Sequence, residues 1–178
     1  MKSLIILSLA VILLTILALG SGVYNMAATD KHWEITEKII TWVRESSIKV
    51  RSEDLEVPVI EETDIFATGA QHYNAMCTGC HLAPGKEPTE ISLGLYPQAP
   101  VFHKRVAVTD AEDKLQLTKK YFWVIKNGIK MTAMAAWGPT HDDTTMWAIA
   151  AFLHELPGMT AEQYVALALD AKHHDYHQ

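Results

Sequence analysis

The chain has two cysteines, Cys77 and Cys80, three positions apart, and His81 directly follows the second. A disulfide between them would close too small a loop to stabilise a domain, so their use is chemical. C-x-x-C-H is the attachment pattern for c-type haem. Two thiols separated by two residues at a helix end can each add to one of the porphyrin's two vinyl groups, and the adjacent histidine is then directed at the iron from one face. Rival uses of the pattern fit less well. A zinc site needs four ligands, but there is no second cysteine pair and the nine histidines show no finger spacing. A thioredoxin-type motif would follow a strand, whereas the residues before Cys77 read as helix. The motif therefore predicts one haem c, bound through Cys77 and Cys80 with His81 on the iron.

The surrounding pattern predicts an all-α fold. Gly69, Tyr73 and Cys77 recur every four residues on one helical stripe. A glycine inside a helix costs about 1 kcal/mol relative to Ala, which makes Gly69 the natural point for a close helix crossing. The candidate partner is the segment carrying Trp147, Ala148, Ala151 and Phe152. Helices are predicted over 64–76, 111–127, 142–155 and 161–172, the last opened by a capping box from Thr160 to Gln163. Between Leu82 and Val108 the chain holds Pro84, Pro88, Pro97 and Pro100 with Gly85 and Gly94, so no regular structure is expected there. No strand alternation and no internal repeat is visible.

The amino-terminal end has a different solvent. No charged residue lies between Lys2 and Asp30, and Leu4 to Leu19 is apolar except at Ser8 and Thr15. As a helix, the run from Leu4 to Tyr24 would reach about 31 Å, close to the roughly 30 Å of a bilayer's hydrocarbon. It reads as a membrane anchor; the competing reading is a signal segment cut near Ala18 or Gly20. Both export the remainder of the chain, and Lys2 with the α-amine keeps the start cytoplasmic. The exported part is acidic, since Lys2 is one of only fifteen Lys and Arg against twenty-one Asp and Glu. With a net charge of -6, the chain is not a nucleic-acid binder.

An amphipathic helix is predicted from about 31 to 50, with Trp33, Ile39, Ile40, Val43 and Val50 on one face. Glu34 with Lys38 and Glu45 with Lys49 supply i,i+4 pairs, and Asp30 is a candidate cap. Its apolar face is expected to pack on the domain behind it, the alternative being a helix lying on the bilayer surface. Residues 52–63 are acidic, carry Pro58 and read as a connector. The predicted organisation is 1–24 anchor or signal segment, 25–63 linker and amphipathic helix, 64–158 haem domain, and 159–178 carboxy-terminal helix with a tail bearing His173, His174 and His177. That tail reads as solvated; copper or nickel binding is its alternative use.

From Asp64 to Leu156 the order of motifs resembles the class I c-type cytochromes, in particular small membrane-anchored monohaem members exported to the bacterial periplasm. The resemblance rests on Gly69, Tyr73, Cys77 to His81, Ile125 to Gly128, Met131 to Gly138, Trp147 and Phe152. Looser likenesses lie at 24–33 and 156–164. It implies a cytochrome c-like helical domain around the haem, with His81 and a methionine as the iron's two ligands. The family's distal methionine sits in a Met-Pro-x-aromatic setting, and Met134, Ala135, Ala136 and Trp137 match it except at Ala135. The missing proline puts the loop's rigidity in question. Met134 is the expected ligand, with Met131 the alternative three residues earlier. The resemblance also implies a backbone carbonyl just downstream as acceptor for the other nitrogen of His81, nearest at Pro84. Tyr96 and Trp137 are candidates to reach the propionates or simply to pack on the macrocycle.

What the resemblance implies about function is single-electron transfer in a respiratory chain at the periplasmic face of the cytoplasmic membrane, without catalysis. Expected partners are membrane lipid, a quinol-oxidising complex and a terminal oxidase or reductase. A His/Met iron is six-coordinate in both oxidation states, so little has to move when an electron arrives, and the thioether raises the potential. Two alternatives remain: a ligand-binding, sensing or peroxidatic haem protein with a labile Met134, and a dedicated electron-donating subunit of one membrane enzyme.

Overall fold

A computed structural model of the protein describes residues 1–58 and 62–169. Among the described residues there are eight helices and no strand. They are α1 (Lys2–Gly20), α2 (Glu34–Ser52), α3 (Glu62–Met76), α4 (Thr78–His81), α5 (Glu90–Gly94), α6 (Ala111–Asn127), α7 (Asp143–Phe152) and α8 (Ala161–Ala168). The fold is all-α, as the sequence predicts.

Helix α7 is the centre of the core because nearly every side chain on it is apolar or small. Met146 to Ala150 and Phe152 are buried, and Asp142 caps the helix by accepting from the Thr145 amide at 2.7 Å. Helices α3 and α6 both pack against it. The crossing with α3 falls at Gly69: a Cβ there would stand 2.3 Å from the Ala148 carbonyl oxygen and 2.7 Å from Cβ of Phe152. The expected partner helix is thus the observed one. On the other side Phe122 of α6 stacks flat on Trp147, ring centroids 3.8 Å apart. Helix α8 opens with the expected capping box of Thr160 and Gln163 and lays Tyr164 on α3, its hydroxyl donating to Oδ1 of Asn74 at 3.1 Å. The predicted extension to 172 passes beyond the described residues, as does the histidine tail.

Three local expectations are corrected. The proline-rich segment 82–108 is not wholly irregular: Thr89 and Ser92 form a capping box that starts α5, and Phe102–Lys104 makes a 3-10 turn. Asp30 does not cap α2. Trp33 occupies that position without a side-chain bond, and the Asp30 carboxylate takes the Asn25 amide instead. Of the two expected ion pairs Glu34 with Lys38 is present, while Glu45 turns to Arg44 at 3.0 Å.

The largest correction concerns the face of α2. The helix packs on α6 through Ile48 and Ser52, and Nζ of Lys119 donates to the Glu53 carbonyl at 2.9 Å. Ile39, Ile40, Val43 and Val50, expected to face the domain, are exposed, as is Trp33 ahead of the helix. Burying a short Ile48 to Ser52 edge lets Leu55 and Val57 follow directly onto the core. The broad apolar stripe is left pointing away. Helix α1 is long and apolar enough to cross a membrane, and none of its residues is buried within the protein.

Candidate haem-binding site

The attachment motif is made where α3 ends. The Cys77 amide donates to the Tyr73 carbonyl at 2.9 Å, and the amides of Cys80 and His81 both turn back to the Cys77 carbonyl at 3.1 and 2.9 Å. Both thiols and the imidazole are thereby placed on one turn. The turn is braced from outside, since Nζ of Lys86 bridges Oδ1 of Asn74 and Oγ1 of Thr78, each at 3.1 Å, and the Thr89 hydroxyl donates to the Gly79 carbonyl. Leu82 ends it in a left-handed conformation, φ 60°. Its carbonyl then accepts from the buried Tyr73 hydroxyl at 2.8 Å. Burial holds that phenol protonated, so it serves as a donor.

His81 is steered by a carbonyl far along the chain. Its Nδ1 lies 2.9 Å from the Pro100 oxygen, nineteen residues on. A carbonyl can only accept, so Nδ1 carries the proton and the lone pair sits on Nε2. Burial lowers the imidazole's pKa, the Pro100 bond opposes this, and the charge of Arg105 adds to the lowering. The ring is neutral and ready to ligate. Pro84, the expected acceptor, does not take this bond; the carbonyl that does is Pro100, at the far end of the proline-rich segment. Phe102 closes the arrangement, its ring centroid 4.9 Å from that of His81.

The thiols fit this chemistry better than the rivals. Burial, and then the neighbouring Cys80, push the Cys77 thiol up to about 12. A redox or zinc-binding cysteine needs the opposite, a stabilised thiolate. A buried thioether carries no charge to stabilise. The donor set of one turn, the buried Cys77 thiol with Cys80 beside it and one oriented imidazole, fits haem c.

Residues 64–153 match the family model described as "Cytochrome C oxidase, cbb3-type, subunit III". The chain belongs to this family. No curated protein matches it. The match identifies a cytochrome c domain, whose haem makes it an electron-transfer module.

The methionine-bearing loop of this cytochrome domain is built on the end of α6. Gly128 stops the helix at φ 64°, and a Cβ there would come within 2.7 Å of the Met134 oxygen, the Ala135 carbonyl carbon and the Ala136 nitrogen. Such contact lets the loop fold back on itself. The Ile129 amide donates to the Met134 carbonyl at 3.0 Å, while the amides of Trp137 and Gly138 donate to the Ile125 and Lys126 carbonyls, each at 3.0 Å. The loop is therefore fixed without proline at Ala135. Met134 is half-buried and, with Cys77 and Trp137, packs against the main core cluster. Met131 points outward at 90% exposure.

The other candidates have different partners. The Tyr96 hydroxyl accepts from the His32 amide at 3.0 Å, which ties the linker to the proline-rich loop. Trp137 stands edge-on to His141, centroids 5.5 Å apart, and His141 in turn faces His72. His154 binds Thr118, 2.8 Å from Nε2 to Oγ1. Sequence reasoning missed the parts played by Pro100 and Phe102, and named Gly128 only within the family pattern Ile125 to Gly128, not as the stop of α6. Pro100 was visible only as one of four prolines, whereas a glycine after an apolar helix end was a legible stop signal.

Proposed function

We propose that the chain is a single-electron carrier with one His/Met-ligated haem c, attached through Cys77 and Cys80 and ligated by His81 and Met134. Residues 1–24 anchor it as a single-pass protein in the cytoplasmic membrane, with the haem domain, 64–158, in the periplasm as part of a respiratory chain. Residues 25–63 join the two, and 159–178 follow the haem domain, beginning with α8. The observation that carries the ligand assignment is the difference between the two methionines: Met134 packs inward on a pinned loop, while Met131 is 90% exposed.

The bound haem supplies a one-electron couple at iron. The chain's residues hold that couple still. Pro100 fixes the His81 ring and raises its basicity as a ligand. Phe102 covers the His81 ring, Tyr73 packs behind Phe102, and Gly128 with the Ile125 and Lys126 carbonyls fixes where Met134 stands. An apolar surrounding disfavours the extra positive charge of the oxidised iron and so raises the potential.

Proposed partners are a quinol-oxidising complex as donor and a terminal oxidase or reductase as acceptor. An anchor raises the effective concentration near membrane-bound partners without altering the chemistry. The family's description names an oxidase subunit, which favours a second reading: a dedicated electron-donating subunit of one membrane enzyme. Co-purification from gently solubilised membranes separates the two, since a subunit stays with its enzyme and a shuttle does not. The carrier reading is tested by the absorption spectrum of the dithionite-reduced protein with and without CO. An unchanged low-spin spectrum supports two filled axial positions. A shift overturns the carrier reading in favour of a ligand-binding or peroxidatic protein.

A further inference from the structure

Helix α2 keeps its hydrophobic side outside the protein. Positions 35, 39, 42, 43 and 50 fall on one helical stripe, and Ile35, Ile39, Trp42, Val43 and Val50 are all exposed, Trp42 to 70%. The opposite edge, carrying Ile48 and Ser52, packs on α6. The charges are arranged around the stripe. Lys38 and Lys49 lie along its Trp42 border, Arg44 and Arg51 lie beyond its other border, and Glu34, Glu37 and Glu45 stand further round. An apolar stripe with a tryptophan and flanking cations is the composition of a helix lying in a lipid headgroup region.

Continuity with α1 decides the occupant. Helix α1 ends at Gly20, and Tyr24, four residues later, already touches the residue before α2: its ring lies 4.9 Å from that of Trp33. Four residues reach at most about 14 Å. The hydroxyl of Tyr24 also bonds Nδ1 of His32 at 2.7 Å, and the His32 amide donates to Tyr96 at 3.0 Å, so the connection is clasped to the haem domain. If α1 spans the bilayer, α2 begins at its surface. We propose that α2 lies along the outer face of the membrane with this stripe in the lipid, a second attachment that fixes the height and tilt of the haem domain.

This inference rests on the anchor reading, and one experiment reports on both. Full-length, haem-loaded protein is placed in vesicles of phosphatidylethanolamine and phosphatidylglycerol doped with a phospholipid bearing a diazirine in its acyl chain. After illumination, adducts are mapped by mass spectrometry. The expected result is adducts on α1 and on the tryptic segment 39–44, with none on α8. The exposed pair Ile39→Ser and Val43→Ser should lower the α2 adducts several-fold and leave those on α1 unchanged. Adducts on α1 without α2 overturn the inference and leave the anchor, pointing to a protein or a second copy on the stripe. Adducts on neither overturn both. Adducts on α2 alone overturn the anchor and leave the lipid contact.

Discussion

His81 stands on a four-residue helix immediately after a cysteine, and a single hydrogen bond to a carbonyl nineteen residues away sets its ring. Met134 stands on a loop without a helix of its own, held by backbone hydrogen bonds to the last turn of α6 and by contact with Gly128. The first arrangement is local chemistry with one long-range correction. The second is almost wholly tertiary. Under the proposed attachment through Cys77 and Cys80, the covalent bonds limit where the histidine can go, so one hydrogen bond suffices to orient it. Nothing covalent limits the methionine, and the protein spends several backbone bonds in its place.

The largest expected effect removes one side of this contrast. Met134→Ala should open the distal position, so that the reduced protein binds CO and its midpoint potential falls, while Met131→Ala should leave the spectrum unchanged. A CO-insensitive Met134→Ala protein would reassign the ligand. Substitution at the two close-approach glycines separates the core from the loop. Gly69→Ala forces α3 away from the Ala148 carbonyl and should cost about 1–3 kcal/mol, lowering Tm by about 4–8 °C per kcal/mol in a domain of this size. Gly128→Ala should cost a similar amount, yet its spectroscopic effect should fall on the methionine side alone, read as partial CO binding with covalent haem retained.

The same contrast explains what could be read in advance. The stripe Gly69, Tyr73, Cys77 and its partner helix were legible because helical periodicity ties sequence spacing to one face. That Cys77, Cys80 and His81 share one turn was legible because they are adjacent in sequence. Pro100 was not, since its carbonyl acts through a loop closure that no local pattern encodes. The exposed face of α2 was misread because periodicity shows that a face is apolar and does not say which solvent it meets. Ala135 suggested a loose loop; its rigidity comes from backbone N–H groups, which every residue but proline carries, and from carbonyls, which every residue carries, so sequence does not distinguish them.

A smaller effect concerns acid stability on neither side of the iron. Burial and the nearby charge of Lys114 lower His154 from the usual 6.5 to about 4. The Thr118 hydroxyl gives its own proton to the Lys114 carbonyl at 2.8 Å, so Nε2 of His154 donates to it as a neutral ring. Between about 4 and 6.5 the unfolded chain binds this proton and the folded one does not, so stability falls as pH is lowered through that window. Denaturant midpoints across it should fall less for His154→Gln than for the wild type. Parallel curves would show that His154 is not the group responsible.

The smallest effect tests whether the distal loop is already as rigid as the histidine turn. Ala135→Pro would complete the Met-Pro-x-aromatic pattern that the resemblance to class I c-type cytochromes implies. Among the described residues the Ala135 amide makes no backbone hydrogen bond, so proline removes no donor that the loop uses. Fixing one φ angle in the unfolded chain is worth about 0.4–1 kcal/mol where the native backbone accepts it. Because the Met134 carbonyl is already bonded to Ile129 and the loop already abuts Gly128, the substitution should raise Tm slightly and give the same reduced spectrum as the wild type, with and without CO. A sharper or blue-shifted spectrum would mean that the methionine moves in the wild type, and that the backbone bonds alone do not hold it.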